Sequence, residues 1–350
     1  MDTESSAPFE WRNVSISPSL LMCGGPTVTA HSFQEQPLTF KVLLNDPESP
    51  LGGNKACKLR PHLQQAQSAG YRGLLGFGGA YSNFILSLAL AGRANGFATI
   101  GIIRGDEIPD LPPEKQSQVL AAAAAAGMQL HFVNRSTYRQ RSSATMLTSL
   151  AEQFPGFLIV PEGGSSIDAA RACGALLPDD ADARDITHWA VATGSGATCA
   201  GIAAACTPQQ KVLAITVAKD PDLQSKATAW AEELASQSGN PDIAERLLWV
   251  NSGSSASFGQ LDRRLCDIIN DCFESSGVLL DPVYTVKALH SLGNLAAQGE
   301  IRATDKIALV HTGGLTGWLG MRQEWKAWLS DRVLHKIASL HWQAELGRVQ

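Results

Sequence analysis

Residues 52–60 read Gly-Gly-Asn-Lys-Ala-Cys-Lys-Leu-Arg, which places a lysine behind two glycines and an asparagine, where a helical pattern begins. The glycines let the backbone approach a ligand closely. The helical pattern behind them supplies unpaired N–H groups and a positive dipole end, which favour an anion. Burial beside a second cation, Lys58, lowers the pKa of an amine such as that of Lys55 and makes it nucleophilic. The stretch therefore favours a lysine that forms a Schiff base, while a loop with solvated lysines is the alternative.

A second candidate element, residues 192–198, follows an apolar strand and opens a helix at 199–206. Small residues and hydroxyls at a helix N-terminus bind phosphate through backbone N–H groups and the helix dipole. The residues predicted to form this cradle are Thr193, Gly194, Ser195, Gly196, Ala197 and Thr198. A dinucleotide-binding oxidoreductase also uses a Gly-rich turn, but the G-x-G-x-x-G spacing and the P-loop ending are absent here.

Three further elements lie where predicted strands meet helices or loops. Ser82-Asn83 follows a glycine pair, residues 281–287 read Asp-Pro-Val-Tyr-Thr-Val-Lys, and residues 311–317 read His-Thr-Gly-Gly-Leu-Thr-Gly. The alternative function of Ser82 and of Thr285 is to cap a helix, because serine and threonine are favoured at helix N-caps. We interpret His311 as a structural hydrogen-bonding residue.

Together these elements resemble the fold type II pyridoxal-phosphate enzymes, in the D-cysteine desulfhydrase and 1-aminocyclopropane-1-carboxylate (ACC) deaminase family. They occur in the family's order and spacing and span residues 52–317. The resemblance implies an α/β fold with two open twisted parallel-sheet domains, like tryptophan synthase beta. It also implies pyridoxal 5'-phosphate as cofactor, a small amino acid as substrate, and a homodimer.

The resemblance also implies roles for individual residues. Lys55 carries the cofactor and acts as the base, Ser82 contacts the substrate carboxylate, and Tyr284 is a hydrogen-bond or proton partner of the substrate. The other predicted cofactor-binding residues are Asn54, Lys58, Asn83, Thr285, Gly313 and the cradle 193–198, and no metal is predicted. In the family, the cradle and the basic residue at Lys58 hold the cofactor phosphate.

The residue after Tyr284 bears most directly on the reaction. ACC deaminases place a glutamate there, which keeps the ring nitrogen protonated, whereas D-cysteine desulfhydrases place a threonine. Thr285 therefore predicts β-elimination from D-cysteine, and ACC deaminase is the alternative within the family. Three departures from the family pattern, at Phe84, Phe258 and residues 44–46, keep open a cofactor-binding protein with lost or changed activity.

Composition limits the remaining function classes. The chain has 350 residues, enough for two domains, and a net charge of -5, which provides no basic field for nucleic acid. No segment resembles a signal peptide and no apolar run is long enough to cross a bilayer, so no membrane partner is predicted. Seven cysteines without a CxxC pair favour a cytoplasmic location over disulfides or zinc.

Short apolar runs alternate with helical stretches, the pattern of parallel sheets covered by helices. The predicted strands are 38–44, 73–76, 99–103, 129–133, 157–160, 188–192, 212–217 and 307–311. Helices are predicted at Glu114–Ala126 and over 322–347. We expect a large cofactor-binding domain of residues 15–65 and 175–345 and a small inserted α/β domain of residues 66–174, with the cofactor between them.

Overall fold

The computed structural model describes residues 9–16, 38–46, 49, 51–112, 115–218, 220–253, 259–302 and 304–340. Its strands are β1 (Glu10–Ile16), β2 (Leu38–Leu44), β3 (Gly73–Gly79), β4 (Ala98–Arg104), β5 (Met128–Val133), β6 (Phe157–Ile159), β7 (His188–Thr193), β8 (Lys211–Thr216), β9 (Leu247–Asn251) and β10 (Ile307–His311). Its α-helices are α1 (Gly53–Ser68), α2 (Asn83–Ala94), α3 (Gln118–Ala125), α4 (Arg135–Arg139), α5 (Ala144–Gln153), α6 (Ile167–Cys173), α7 (Ala181–Asp185), α8 (Ala197–Ala205), α9 (Leu223–Ser238), α10 (Arg263–Ser276), α11 (Thr285–Ala297), α12 (Gln323–Lys326) and α13 (Asp331–Ser339). Short 3-10 turns occupy Ile108–Asp110, Glu162–Gly164, Gly174–Leu176, Pro241–Arg246 and Leu315–Gly320.

Two sheets organise these elements. Within the described residues, the larger sheet has the strand order β1-β2-β10-β7-β8-β9, and its pairs are parallel except β1 with β2. The smaller sheet has the order β5-β4-β3-β6 and is parallel throughout. This arrangement confirms the predicted α/β fold class.

The central strands are buried on both faces, which explains why their sequences are continuously apolar. In β10, Ile307 and Leu309 pack into the apolar cluster on one face of the larger sheet, and Ala308 and Val310 pack into the cluster on the other. Side chains alternate across a strand, so helices must cover both faces of such a sheet. The predicted strands are all present, and β3 extends beyond its predicted end to Gly79.

Two strands were not predicted, and both lie at the edges of the larger sheet. β1 buries Val14 and Ile16 but exposes much of its other face, so its sequence contains no continuous apolar run. β9 is short and buries only Leu247 fully. An edge strand that is half solvated carries a weak sequence signal because one apolar face suffices to hold it.

Two predicted helices differ from the observed ones. The helix expected from Glu114 begins at Gln118, because the hydroxyl of Ser117 accepts a backbone N–H bond at 3.3 Å and caps it. Glu114 itself lies outside the described residues. The single helix predicted over 322–347 is wrong: α12 and α13 are separate, and Ser330 caps the second. The last predicted turns lie outside the described residues.

The two sheets occupy different parts of the sequence. The smaller sheet lies within residues 66–174, and the strands of the larger sheet flank it. β1 starts at Glu10, before the expected boundary at residue 15, and the division into domains stays a prediction. For the site, the important point is that β3, β7 and β10 carry the predicted residues in the loops behind their carboxyl ends, where ligands of α/β folds collect.

Candidate active site

Helix α1 carries both lysines of residues 52–60, and a close backbone contact fixes its start. Gly53 has a φ of +64°, and a Cβ at this position would overlap the carbonyl oxygen of Thr312. The N–H of Asn54 donates to the same oxygen at 3.2 Å. Glycine is therefore required where the lysine helix meets the loop behind β10.

The half-buried side chain of Lys55 lies between an amide and an aromatic ring. Its Nζ donates to Asn54 Oδ1 at 2.7 Å and lies 6.0 Å from the centre of the Tyr284 ring. Burial, and next the charge of Lys58, lower the pKa of Lys55 to about 7. Such an amine is partly unprotonated at neutral pH, as a nucleophile or a base requires.

The amide of Asn54 connects Lys55 to the loop behind β7. Its Nδ2 donates to Thr198 Oγ1 at 3.1 Å, while its Oδ1 accepts from the lysine. Thr198 also accepts a weak hydrogen bond from Cys173 Sγ at 3.9 Å. Since both ends of the amide have partners, its orientation is fixed, and so is the position of the lysine amine.

The loop behind β7 is shaped for an anion at the start of α8. This helix begins at Ala197, earlier than the predicted Cys199, and no described side chain caps it. Its N-cap residue, Gly196, has a φ of +88°, and a Cβ there would lie only 2.7 Å from Ala227 Cβ. Because no side chain of the described residues caps this start, the first N–H groups of α8 remain available to an anionic ligand.

Lys58 supplies a buried positive charge beside this helix start. Its Nζ donates to Ser195 Oγ at 2.9 Å and lies 3.4 Å from Ser165 Oγ, and the two hydroxyls are 2.7 Å apart. Burial lowers the pKa of Lys58. Among the described residues, no carboxylate lies within ion-pair distance of it. A buried cation in this setting is stabilised by an anionic ligand.

Tyr284 packs on the cradle, next to Lys55. A Cβ at Gly194 would lie 3.1 Å from the edge of its ring, so glycine is needed there. Burial, and then the charges of Asp281 and Glu162, raise the pKa of Tyr284, so its hydroxyl stays protonated at neutral pH. Thr193 contributes differently, because its hydroxyl donates to a backbone oxygen of its own strand at 3.1 Å.

Ser82 and Asn83 lie at the start of α2, facing the loop behind β10. Ser82 Oγ accepts a backbone N–H bond of the helix at 3.4 Å, so its capping role is real. Asn83 donates from Nδ2 to Gly314 O at 3.3 Å and accepts from Thr316 Oγ1 at 2.6 Å. The sequence did not point to Thr316, because its partner Asn83 lies more than two hundred residues earlier in the chain.

Asp281 organises the turn that presents Tyr284 and Thr285. Its buried carboxylate accepts the N–H groups of Val283 at 3.0 Å, Tyr284 at 2.7 Å and Thr285 at 2.8 Å. The Thr285 hydroxyl donates to the same carboxylate and accepts the Asp281 N–H at 3.0 Å. The N-cap residue of α11 is Tyr284, whose side chain makes no capping bond, and Thr285 is the first residue of the helix, so the alternative that Thr285 caps this helix is wrong. A bond from Thr285 to a ring nitrogen requires its hydroxyl to turn away from Asp281.

The loop behind β10 closes the site opposite Asn83. The N–H of Gly313 donates to His311 Nδ1 at 3.2 Å, so Nε2 carries the hydrogen and donates to Leu279 O at 3.0 Å. His311 is buried and its pKa is lowered by that burial, in agreement with a structural role. Gly313 and Gly314 have φ values of +78° and +90°, which favour glycine.

The turn Glu162–Gly164 brings the smaller sheet against the lysine helix. His62 Nε2 donates to Gly164 O at 3.2 Å, and the following residue is Ser165, which contacts Lys58. Phe84 packs under this turn: a Cβ at Gly164 would lie 3.0 Å from its ring. No local pattern of the sequence indicates the direct contact between Ser165 and Lys58.

The other two departures from the family pattern have different outcomes. Phe258 lies outside the described residues. Residues 44–46 end β2, and Asn45 O accepts the N–H of Gly53 at 3.0 Å, so this segment supports the start of the lysine helix.

Two kinds of feature are absent from the described residues. No group of three or more histidine, cysteine or acidic side chains is arranged there to hold a metal ion. In the same part of the chain, no helix combines the length and apolar character needed to cross a bilayer.

These donors fit a phosphorylated aldehyde. The open start of α8, the hydroxyl of Ser195 and the buried cation of Lys58 match a dianionic phosphate. The amine of Lys55, with its lowered pKa, matches an aldehyde carbon. The fold and this site together define a pyridoxal-phosphate-dependent enzyme of fold type II.

Known proteins agree with this class. The family model for pyridoxal-phosphate dependent enzymes matches residues 24–313. A putative ACC deaminase of Pyrococcus furiosus is 27% identical over 278 residues, which are 76% of this chain and 82% of the relative. A bifunctional D-cysteine desulfhydrase/ACC deaminase of Arabidopsis thaliana is 27% identical over 291 residues, 76% of this chain and 70% of the relative. The crystal structure of an ACC deaminase homologue has a TM-score of 0.67 at 24% identity, covering 83% of this chain and 89% of that one, and shows the shared fold.

The chain belongs to the family of pyridoxal-phosphate dependent enzymes, and pyridoxal 5'-phosphate is its cofactor. The predictions of fold type II, of this cofactor and of a pyridoxal-phosphate-dependent lyase are confirmed. The roles of the individual site residues remain predictions.

Proposed function

We propose that this enzyme eliminates the β-substituent of a small amino acid and that D-cysteine is its favoured substrate. The products are pyruvate, ammonia and hydrogen sulfide. The observation that carries the choice of substrate is Thr285, a neutral, fully buried side chain bonded to Asp281. The family resemblance places this residue at the cofactor ring nitrogen, where opening a cyclopropane calls for a carboxylate.

Binding is assigned to three groups of residues. Lys58 and the start of α8 hold the cofactor phosphate, and Asn83, fixed by Thr316, contacts the ring. Gly313 lines one face of the ring, since its lack of a side chain permits a close approach. When bound, pyridoxal phosphate supplies an electron sink for negative charge at Cα.

Proton transfer is assigned to Lys55 and Tyr284. Lys55, held by Asn54, removes the proton from Cα of the substrate. The Cβ–S bond then breaks, and sulfur leaves with the electron pair while the neutral hydroxyl of Tyr284 donates to it. Ser82 and the N–H groups at the start of α2 bind the substrate carboxylate. The released aminoacrylate reacts with water to give pyruvate and ammonia.

ACC deaminase is the second candidate. It is supported by the name of the Pyrococcus furiosus relative and by half of the name of the Arabidopsis thaliana relative. Both reactions act on a small amino acid and share the cofactor, the lysine and the cradle. Thr285 favours the first.

The test is the visible absorption spectrum of the purified holoenzyme, followed by product analysis. We expect an absorption band from the lysine-bound cofactor that changes with D-cysteine, with sulfide and pyruvate formed in equal amounts. ACC in place of D-cysteine would give 2-oxobutyrate, and faster release of that product would reverse our choice of substrate. The Lys55→Ala variant is the control: it should keep its fold and lose turnover, and retained turnover would refute the assigned base.

Three broader predictions are part of the same proposal. The two sheets form two domains with the cofactor between them, and the enzyme is a homodimer, which sedimentation equilibrium measures. We also propose a cytoplasmic location, supported by the six described cysteines, which are free and buried. Fractionation of the source cells tests this location.

A further inference from the structure

Arg104 lies at the carboxyl end of the smaller sheet, beside the loop that carries Ser82. It is the last residue of β4 and pairs in register with Gly79, the last residue of β3. A Cβ at Gly79 would lie 3.3 Å from Arg104 Nη2. The N–H of Ser82 donates to Gly79 O at 3.1 Å, so one turn of backbone separates this arginine from the proposed contact for the substrate carboxylate.

An aromatic ring holds the guanidinium of Arg104. Its central carbon lies 5.7 Å from the centre of the Tyr138 ring, and Arg141 contacts the same ring at 5.1 Å. Tyr138 is buried, and its hydroxyl donates to Glu162 at 2.6 Å. A guanidinium is planar, and contact with an aromatic face restricts its orientation, so that its N–H groups can bind an oxyanion with two parallel bonds.

The charges of this cluster do not cancel. Arg141 Nε donates to Glu162 Oε2 at 2.7 Å, which neutralises that pair. Asp106 and Glu107 follow Arg104 in the adjoining turn, and Glu107 pairs with Arg135 at 3.5 Å instead. The side chain of Arg104 is exposed, and no carboxylate of the described residues lies within ion-pair distance of it. One preorganised positive charge is therefore left over.

The cluster faces the site through Glu162. This residue begins the turn whose next side chain, Ser165, contacts Lys58 and Ser195. The loop with Ser82 and the turn with Glu162 thus place the arginine on the smaller-sheet side of the substrate.

We propose that Arg104, held against Tyr138, binds an oxyanion on the side chain of further substrates of the same site. Besides D-cysteine, the enzyme then accepts amino acids with a carboxylate, sulfinate or phosphate beyond Cβ, and it prefers O-phosphoserine over the uncharged O-acetylserine. The proposal rests on the proposed function, because these amino acids place their Cα and Cβ in the same site.

The experiment compares O-phosphoserine with O-acetylserine, each as D and L isomers, in the wild type and three variants. We expect Arg104→Gln to lower kcat/KM for O-phosphoserine by roughly tenfold to a hundredfold, mainly through KM, as for the loss of a charge-assisted hydrogen bond. Arg104→Lys should recover part of the loss, and O-acetylserine should change less than about twofold in the same variants, since it makes no such bond. Arg135→Gln, a nearby exposed arginine outside the site, should behave as the wild type. Equal losses for both substrates in Arg104→Gln, or no loss for either, would overturn the proposal.

A binding measurement separates this proposal from the proposed function. If the holoenzyme turns over none of these amino acids, the proposed elimination fails, and calorimetric titration with O-phosphoserine still tests the arginine. Binding weakened about tenfold or more in Arg104→Gln supports the oxyanion site even then. Equal binding in wild type and variant overturns it.

Discussion

Replacing Asp281 with alanine tests whether one carboxylate builds the turn that presents Tyr284 and Thr285. In the wild type this buried group accepts three backbone N–H bonds of 3.0, 2.7 and 2.8 Å and the hydroxyl of Thr285. Alanine leaves these donors without acceptors in a part of the protein that water reaches poorly. Counting a little over 1 kcal/mol for each backbone bond, we expect Asp281→Ala to lower the free energy of unfolding by roughly 3–5 kcal/mol.

The assay is equilibrium denaturation of the cofactor-free protein by urea, followed by tryptophan fluorescence. The matched control is Ser143→Ala, because Ser143 caps α5 through a single N–H bond of 3.3 Å. Loss of one such cap costs about 1 kcal/mol. If Asp281→Ala costs no more than Ser143→Ala, the carboxylate does not organise the turn and the reasoning is refuted.

Three other predictions follow from the site. The rate at which the cofactor-free protein incorporates pyridoxal phosphate should rise with pH, be half-maximal near the lowered pKa of Lys55, about 7, and level off well above it, because half of the amine is unprotonated at its pKa. A stopped-flow absorbance profile without that rise would contradict this expectation. Gly53→Ala should abolish cofactor binding, since the added methyl group meets the Thr312 carbonyl, and spectral titration with the cofactor measures this loss. The control is Gly70→Ala, because Gly70 has a φ of +69° and no atom lies within 4 Å of the added methyl group. This control should lose only about 1 kcal/mol of stability through backbone strain, which thermal denaturation measures. Thr285→Glu should slow the elimination of D-cysteine, because a carboxylate favours the protonated form of the ring nitrogen and also disturbs the turn at Asp281. An unchanged elimination rate would show that protonation of the ring does not matter.

The parts of the fold that could be predicted are those with a local physical cause. The strand at 307–311 is continuously apolar because both of its faces are covered, so the sequence alone identifies it. β1 meets solvent on one face, and its polar residues interrupt the apolar run by which the buried strands are identified. Apolar residues recur at helical spacing on both sides of Ser330, so the sequence alone predicts one helix. The chain forms two helices because Ser330 caps α13.

The candidate site divides in the same way. The lysine stretch and the cradle could be predicted because each combines glycines with the start of a helix in one short run of sequence. The contacts that complete them are not local: Lys58 with Ser165, and Asn83 with Thr316, join residues that no short window contains. That the Asp281 carboxylate accepts the N–H groups of Tyr284 and Thr285 depends on side-chain geometry that residue types do not reveal.

The bond between Asn83 and Thr316 spans 233 residues and has a consequence for how the protein is made. The lysine helix leaves the ribosome early, but its partners in the cradle and in the loop behind β10 are synthesised much later. A nascent chain therefore carries an incomplete pocket for most of its synthesis, and cofactor loading is a late event. Contacts of such long range also slow folding, so the enzyme depends on its early segments staying unaggregated until the last strand is in place.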